Sequence, residues 1–572
     1  MSALWNWLFS KQVAPARVPT DTVIPLFRLD DTLANRSLAF DYTMQFEEVL
    51  DAEKLAGALW RLIERPGWRK LGARLRDKNA LEYHIPTHYT PSRPPLVFTK
   101  SHHPCPLSQH PLHSRLPRSN NTLRSFDTTV PLREALELHG HPRYLADWLY
   151  ADVPQLGLHV VNFEDATFVT LVWGHTLLDA MGRRVLLEAW VAVLEGREGD
   201  VPGFVGWDVD PLEGLGVEPG VEPGAGAGAS PAVVSKSSVQ EKEPGPTEAQ
   251  PAIELEDFVL KDDLLTGWAK FRFIFNFLWE AIFHPSESTR TICIPALYFS
   301  KLRHKAFADL ASAPPNLLTY NTKSPTTNTN PTPFLTDADI LLAWTLRLLT
   351  TSNPTLHPNP LLTLNILNLR PLLSTPSPPH PPLLPPSPQH AYLHNCLGVA
   401  YTLFPRAGAL LAQPLGHTAA QLRRDLVVQR TRAQVEAWQR LARRNVHLLF
   451  GSAGMGISAF SNWSRARLYE VDFRAAVVGG QGVGVEGDGM VVQDGGDGWN
   501  VESSSTTSWR KPARPILIRP DGTASKGFIL RGSGNCIGVD HNGDVWITVM
   551  LRTEFARRLD KEIEALRGAD WV

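Results

Sequence analysis

The chain has 572 residues, of which 43% are hydrophobic and 20% are charged, and this length predicts more than one hydrophobic core. Its 56 lysine and arginine residues and 58 acidic residues leave a formal net charge of −2, which excludes the strongly basic surface of a nucleic-acid-binding protein. The amino-terminal residues lack the basic stretch of a secretion signal, and no uncharged apolar run approaches the ~18 residues of a transmembrane helix. The four cysteines lie far apart, which favours reduced thiols in a cytoplasmic protein over a disulfide framework: Cys105, Cys293, Cys396 and Cys536.

Shifts in composition divide the chain. Residues 208–252 are rich in Gly, Pro, Ala and Glu and have few large apolar side chains, so they predict a linker. We therefore expect one domain at residues 1–207 and a second at residues 253–572. Loop insertions are predicted in the second domain by three low-complexity stretches: the proline-rich residues 313–333 and 374–390 and the glycine-rich residues 479–508.

The predicted elements of the first half begin with an amphipathic helix at Leu50–Ile63, where apolar residues recur at helical spacing. Two β-rich runs, Leu156–Phe163 and Ala166–Gly174, predict a hairpin with Glu164 and Asp165 in its turn. A helix is expected to follow at Gly182–Leu194.

In the second half, Thr336 and Asp339 have the spacing of a capping box and predict the start of a helix. Strands are predicted at Leu361–Leu369 and Cys396–Leu403. The charged and apolar residues of Leu415–Arg444 predict one long amphipathic helix with a solvated face.

The end of the chain carries a hairpin pattern, because Asn542–Gly543 separates the two β-rich halves of Ile537–Leu551. A terminal helix is expected from Thr553. The apolar run Phe273–Trp279 predicts a packed helix or the wall of a substrate channel, with a helix on a membrane surface as the alternative. Helices and strands mix in both halves, so the fold class predicted is α/β with mixed sheets.

The segment with the most chemical information is FVTLVWGHTLLDAMG, in which a hydrophobic strand ends at His175 and Asp179 follows four residues later. A histidine at a strand end is held in a fixed position, where it can act as a catalytic base. The H-x-x-x-D spacing by itself is weak, because a histidine at a strand end is more often a hydrogen-bonded core residue.

Four segments in chain order resemble motifs of the BAHD acyl-CoA-dependent acyltransferases. HTLLDAMG at residues 175–182 resembles the HxxxD signature, with the DA-x-G ending of fungal members such as trichothecene 3-O-acetyltransferase. The other three are IPLFRLDD at residues 24–31, TDADILLAW at residues 336–344 and SNWSRARLYEVDF at residues 461–473. The last leads into the family's DFGWG motif, which stands here as DFRAA.

The resemblance implies a two-domain, chloramphenicol-acetyltransferase-like fold with a channel between the domains. It implies that His175 is the general base and that no acyl group is bound covalently to the protein. In the family the aspartate of the motif pairs with an arginine, so Asp179 and Arg370 are expected to form a structural ion pair. Further structural residues implied near the active site are Gly182, Asp472 and Phe473.

The expected co-substrate is acyl-CoA, without a permanently bound cofactor or metal, and the expected partner is a small-molecule acceptor of secondary metabolism, with no nucleic acid and a monomeric chain. Lys301, Arg303 and Lys305 could meet the CoA phosphates or form the solvated end of a helix, and Arg183 and Arg184 have the same two interpretations. The histidine-rich residues 101–114 have the composition of a zinc site but not its spacing, and we expect a loop there. Two alternatives remain open: an acyl donor bound to a carrier protein, and a catalytically inactive binding or regulatory protein on the same fold.

Overall fold

A computed structural model of the chain describes residues 13–218, 255–320, 332–386, 388–445, 447–479, 511–524 and 531–568. The strands are β1 (Thr22–Pro25), β2 (Leu38–Phe46), β3 (Arg74–Asp77), β4 (Leu81–Ile85), β5 (Val97–His102), β6 (Arg124–Asp127), β7 (Gly157–Asn162), β8 (Thr167–Gly174), β9 (Gly203–Phe204), β10 (Glu287–Ile294), β11 (Leu361–Asn368), β12 (His390–Ala391), β13 (Leu397–Phe404), β14 (Gly456–Asn462), β15 (Leu517–Ala524), β16 (Gly534–Val539) and β17 (Val545–Arg552). The helices are α1 (Leu33–Ser37), α2 (Ala52–Glu64), α3 (Leu145–Leu149), α4 (Ala180–Leu194), α5 (Gly267–Phe283), α6 (Ala296–Asp309), α7 (Asp337–Ser352), α8 (Arg370–Leu373), α9 (Ala409–Ala412), α10 (Leu415–Gln429), α11 (Arg432–Arg444) and α12 (Thr553–Gly568).

A five-stranded sheet in the order β15–β2–β8–β7–β5 forms the centre of the first half. Strands β7 and β8 are the predicted hairpin, and all eight residues of β8 are buried. Helices α2 and α4 pack against each other and share one core with this sheet, through side chains such as Leu59, Leu187 and Trp190. Asp51 is the N-cap of helix α2, and its carboxylate accepts hydrogen bonds from the amides of Glu53 and Lys54 at 3.0 Å.

A seven-stranded sheet in the order β13–β11–β14–β16–β17–β10–β6 forms the centre of the second half. Helices α6, α7, α10 and α12 contribute to the core on one of its faces. The predicted capping box is present at the start of α7, where Thr336 and Asp339 bind each other's backbone amides. The predicted Asn-Gly hairpin joins β16 and β17, and Gly543 adopts a φ of 80° in its turn, a conformation that favours glycine.

The two large sheets do not divide at the predicted linker. Strand β6 of the first half joins the seven-stranded sheet, and β15 of the second half joins the five-stranded sheet. Residues 208–218 of the predicted linker are packed rather than extended, with Leu212 and Leu215 buried and the Gly216 amide bound to Glu436 at 2.6 Å. Residues 219–252 lie outside the described part of the chain, so the predicted domain boundaries stay a prediction.

The low-complexity insertions have different outcomes. Of the proline-rich stretches, residues 321–331 and 387 lie outside the described residues, while Leu384 is buried and its amide binds the carbonyl of Leu373. The glycine-rich insertion lies outside the described residues from position 480 onward.

The prediction of one helix at Leu415–Arg444 was wrong, because the chain forms α10 and α11 with a break at Arg430 and Thr431. The Thr431 side chain caps α11 by accepting from the Gln434 amide at 3.1 Å. The charged face is also not wholly solvated, since Arg432 is buried and bound to Glu436 at 2.8 Å.

The apolar run at Phe273–Trp279 lies in α5, where Phe273 is buried and Ile274, Phe277 and Leu278 line a cavity. One side of the helix therefore forms part of a cavity wall. Its other side is not packed, because Trp268, at 76% relative exposure, and Trp279, at 52%, are exposed. Within the described ranges, no helix combines the length and the apolar character that crossing a membrane requires.

Candidate active site

A cavity of about 1770 Å³ lies between the end of β8 and the face of the seven-stranded sheet opposite α6, α7, α10 and α12, and residues of α5 and α11 also line it. Alternate residues of a strand point to the same face, so two rows of registered neighbours line the cavity. One row is Tyr401, Leu364 and Ala459; the other is Val399, Ile366, Ser461, Asn535 and Thr548. The first row is mainly apolar and the second ends in polar side chains. The Asn535 Nδ2 and Thr548 Oγ1 atoms have no hydrogen-bond partner among the described residues, although both atoms are buried.

His175 lies directly after β8, and its ring faces this cavity. Its amide donates to the Leu38 carbonyl at 2.9 Å, and its carbonyl accepts from Asn395 Nδ2 at 2.8 Å. The ring packs edge-on against Phe40, with 5.2 Å between centroids. The backbone of His175 is therefore held on both sides, and its ring position is restricted by Phe40.

Burial lowers the pKa of the His175 imidazole, while its own carbonyl and the Asp179 charge work in the opposite direction. A histidine with a lowered pKa is neutral near pH 7 and can accept a proton.

A buried polar network contacts the backbone of His175 and was not predicted from the sequence. Asp30 Oδ1 accepts from the Asn395 amide at 2.9 Å and from Asn395 Nδ2 at 2.8 Å, and His394 Nδ1 lies 2.9 Å from Asp30 Oδ2. Asn395 thus connects the Asp30 carboxylate to the His175 carbonyl. Asp30 belongs to a recognised motif, but no pattern in the sequence pointed to Asn395, because the two residues are separated by 365 positions.

Asp179 has no hydrogen-bonding capacity left for the cavity. Arg370 Nη1 and Nη2 donate to its two carboxylate oxygens at 3.0 and 2.9 Å, which is the predicted ion pair. The carboxylate also accepts from the amides of Met181, Gly182 and Cys396, and so caps α4. Burial works to raise the pKa of Asp179, but the Arg370 charge and these hydrogen bonds hold it below its usual range.

Gly182 allows α4 to approach the segment that carries Asn395. A Cβ atom at this position would lie 2.0 Å from the Leu393 carbonyl oxygen. That oxygen belongs to the backbone, so it cannot move aside as a flexible side chain could. The glycine therefore sets the distance between α4 and residues 393–396 rather than a special backbone conformation.

Asp472 and Phe473 lie away from the cavity. Phe473 is fully buried against Phe46 and Trp190, with ring centroids 5.6 and 5.0 Å apart. Asp472 accepts from the Ala513 amide at 3.0 Å and pairs with Arg474. In DFRAA the first two residues thus stabilise the fold, and the arginine that replaces the family's glycine is the partner of the aspartate.

The structure does not bring Lys301, Arg303 or Lys305 to the cavity. All three are exposed on α6, where Arg303 lies 3.4 Å from Asp337 and Lys305 lies 2.8 Å from Asp309. Several other arginines line it, among them Arg440 and Arg443 of α11, which donate to the backbone carbonyls of Glu256 and Leu215, respectively. These two side chains could hold the phosphates of a nucleotide-like co-substrate.

The histidine-rich loop contains two short 3₁₀ turns, and two of its histidine rings pack on an aromatic side chain. His103 and His110 have centroids 4.9 and 5.2 Å from that of Phe163. In the described part of the chain, no cluster of His, Cys, Asp and Glu is arranged to hold a metal ion.

Known proteins match the sequence along nearly its full length. No protein-family model matches the sequence. The chain is 31% identical over 559 residues to the acetyltransferase adrJ of Penicillium rubens, with 96% of this chain and 97% of that protein covered. It is also 31% identical over 564 residues to a protein of Penicillium decumbens named transcriptional regulator calD, with coverage of 96% and 97%.

The fold is similar to that of F. sporotrichioides TRI101, solved in complex with coenzyme A and T-2. The TM-score is 0.56 at 13% identity, and the similarity covers 95% of this chain and 98% of that one. TRI101 has the two-domain, chloramphenicol-acetyltransferase-like fold that the sequence predicted. Similarity along the full length to acetyltransferases, together with this fold, means that the chain belongs to the fungal branch of the BAHD-type acyltransferase family.

Proposed function

We propose that the protein transfers an acyl group from acyl-CoA to a hydroxyl or amine of a small molecule, with His175 as the general base. The observation that carries the proposal is the position of His175, whose backbone is held on both sides while its ring faces a cavity large enough for two reactants. The coenzyme A bound in the TRI101 structure and the acetyltransferase relatives support acyl-CoA as the donor.

The chemistry requires one proton acceptor, which the neutral imidazole of His175 provides. The hydroxyl or amine of the small molecule gives its proton to His175. As it does so, its oxygen or nitrogen attacks the carbonyl carbon of the thioester. The tetrahedral intermediate then collapses: the C–S bond breaks, and His175 returns the proton to the CoA thiolate. The ester or amide and free CoA leave, and no acyl group is bound to the protein.

Asp179 takes no part in this proton transfer. Its carboxylate is occupied by Arg370 and by three backbone amides. Its role in the proposal is structural: it caps α4 and ties the start of α4 to the segment around Cys396.

We assign the CoA phosphates to Arg440 and Arg443. Both line the cavity, and the hydrogen bonds they make go to neutral carbonyl groups, so their charge is not neutralised by a carboxylate they bind. Phosphate binding favours such cations. The cytoplasm is the compartment we propose, since all four cysteines are free, and we propose that the chain acts there as a monomer.

The experiment that tests the function is a calorimetric titration of the wild type and His175→Ala with CoA and acetyl-CoA, followed by an assay of acetyl-CoA consumption with a panel of alcohols and amines. We expect both proteins to bind CoA with the same Kd, and turnover to fall by ~10²–10⁴-fold in His175→Ala. Equal turnover by the two proteins would reject the mechanism.

The same experiment separates the two alternatives. Turnover only with a carrier-protein thioester, without binding of free CoA, would identify the carrier-dependent enzyme. Binding of a metabolite without consumption of any acyl donor would identify the non-catalytic protein. This alternative is retained because the similar protein calD is named a transcriptional regulator.

A further inference from the structure

Arg183 is a buried cation without a bound anion. Its side chain lies in the wall of the active-site cavity at 2% relative exposure, and the Nε and Nη2 atoms have no hydrogen-bond partner among the described residues. Leaving a buried charged donor unbound is costly, so this arrangement calls for an explanation.

Aromatic rings hold the guanidinium in place. Its Cζ lies 4.1 Å from the ring centroid of Tyr42, 4.6 Å from that of Trp463 and 5.8 Å from that of Trp173. Cation–π contacts stabilise and orient the guanidinium, but they do not satisfy its N–H donors. The rings come from both large sheets or the residues that follow them, so the guanidinium lies where the two halves of the chain meet.

No ion pair with a described residue explains an arginine at this position. Arg183 is in the first turn of α4, where the helix dipole disfavours a cation. The nearby carboxylate, Asp179, is already bound on both oxygens by Arg370. The adjacent Arg184 provides a contrast, because it pairs with Glu188 at 2.6 Å and donates to the Arg467 carbonyl.

The two unbound nitrogens have the spacing of a carboxylate receptor, but each exposes less than 1 Å², so a carboxylate binds them only when neighbouring side chains move aside. Nε–H and Nη2–H lie on the same edge of the planar guanidinium, and their spacing matches the two oxygens of a carboxylate. The site is also close to the reaction centre, since Phe40 packs against both His175 and Trp173, with centroids 5.2 and 5.6 Å away. The Arg183 charge contributes to the lowered pKa of His175 as well.

We propose that Arg183 binds an anionic group, a carboxylate above all, on one of the two reactants. This inference rests on the proposed function and narrows its substrate class to an acyl thioester with a terminal carboxylate or to an acidic acceptor. A neutral acyl chain with a neutral acceptor would leave the guanidinium unbound when both reactants are in the cavity.

The test compares the wild type, Arg183→Met and the matched control Arg184→Met in two calorimetric titrations. In the donor titration the probes are acetyl-CoA, malonyl-CoA and succinyl-CoA. In the acceptor titration, with CoA present, the probes are cholate and its neutral methyl ester. If the carboxylate is on the acyl group, we expect the wild type and Arg184→Met to bind malonyl- or succinyl-CoA about tenfold or more tightly than acetyl-CoA, and Arg183→Met to lose this difference. If it is on the acceptor, the same pattern is expected for cholate over its ester.

Equal affinities for charged and neutral probes in both titrations would overturn the proposal, as would a preference that survives in Arg183→Met. A wild type that binds none of the three thioesters contradicts the proposed function, and the cholate titration then still decides the role of Arg183. Thermal unfolding of each variant confirms that the folded proteins are compared.

Discussion

Arg370 binds both carboxylate oxygens of Asp179, at 2.9 and 3.0 Å, across 191 positions of the sequence. Arg370 also donates to the carbonyls of Tyr392 and His394, next to the residue that holds His175. The ion pair therefore joins the start of α4 to the segment that positions the candidate base.

We expect Asp179→Ala to lower the free energy of unfolding by ~3–5 kcal/mol, because the buried Arg370 charge is left without its partner. Chemical denaturation measures the loss, and Arg370→Ala should produce a similar one. A stable, folded and inactive Asp179→Ala would contradict the structural role. Since the pKa of Asp179 is held below its usual range, the contribution of the pair is complete above about pH 4 and is lost as the pH falls through the folded pKa.

The pH dependence of catalysis should follow His175. Its pKa is lowered mainly by burial, so the base is already deprotonated at a pH where an exposed histidine, with a pKa of about 6.5, is half protonated. We expect kcat/KM to be constant from about pH 6.5 upward and to fall only in more acidic buffer. An acidic limb, that is, a loss of activity with falling pH, centred well above pH 6.5 would show that another group is the base.

Asn395 is expected to be a positioning residue. Asn395→Ala removes the donor to the His175 carbonyl and leaves Asp30 with fewer partners, so we expect kcat to fall by about tenfold or more while the Kd for CoA stays unchanged. The buried network also predicts a stability loss of ~1–3 kcal/mol. A variant with the same stability loss but full kcat would show that the network acts on stability alone.

Gly182→Ala should destabilise the protein, because its Cβ would meet the Leu393 carbonyl oxygen at 2.0 Å. We expect a loss of ~1–3 kcal/mol by denaturant titration, together with lower activity, since α4 must move away from the Asn395 segment. The matched control is Gly57→Ala in α2, where no atom of the described residues lies within 4 Å of the added Cβ. Helix propensity predicts that this control gains ~0.5–1 kcal/mol.

Donor binding should distinguish the two sets of cations. We expect Arg443→Gln to raise the Kd for CoA by about tenfold, because the side chain lines the cavity, and Lys301→Gln to leave it unchanged, because that side chain is exposed on α6. Calorimetry measures both values. A Kd raised by Lys301→Gln and unchanged by Arg443→Gln would instead favour a phosphate site at Lys301, Arg303 and Lys305.

Local features of the chain were predictable because they depend on residues a few positions apart. The capping box at Thr336 and Asp339, the Asn542–Gly543 hairpin and the β7–β8 pair form as expected. The motif residues His175 and Asp179 also lie where the resemblance places them, at the end of a buried strand and at the start of a helix.

The sequence by itself determined the mixed α/β class, the family and the histidine on which the proposed chemistry rests, because periodicity, turn residues and short motifs are encoded locally. Only the tertiary structure decided which polar groups face the cavity. Arg183 and Arg184 are equivalent in the sequence, yet Arg183 is buried with no anion from the described residues bound to it, and Arg184 pairs with Glu188. Asn395 likewise reaches His175 only when segments 220 positions apart are packed together. Burial and partner choice are set by contacts between distant segments, and no local pattern carries that information.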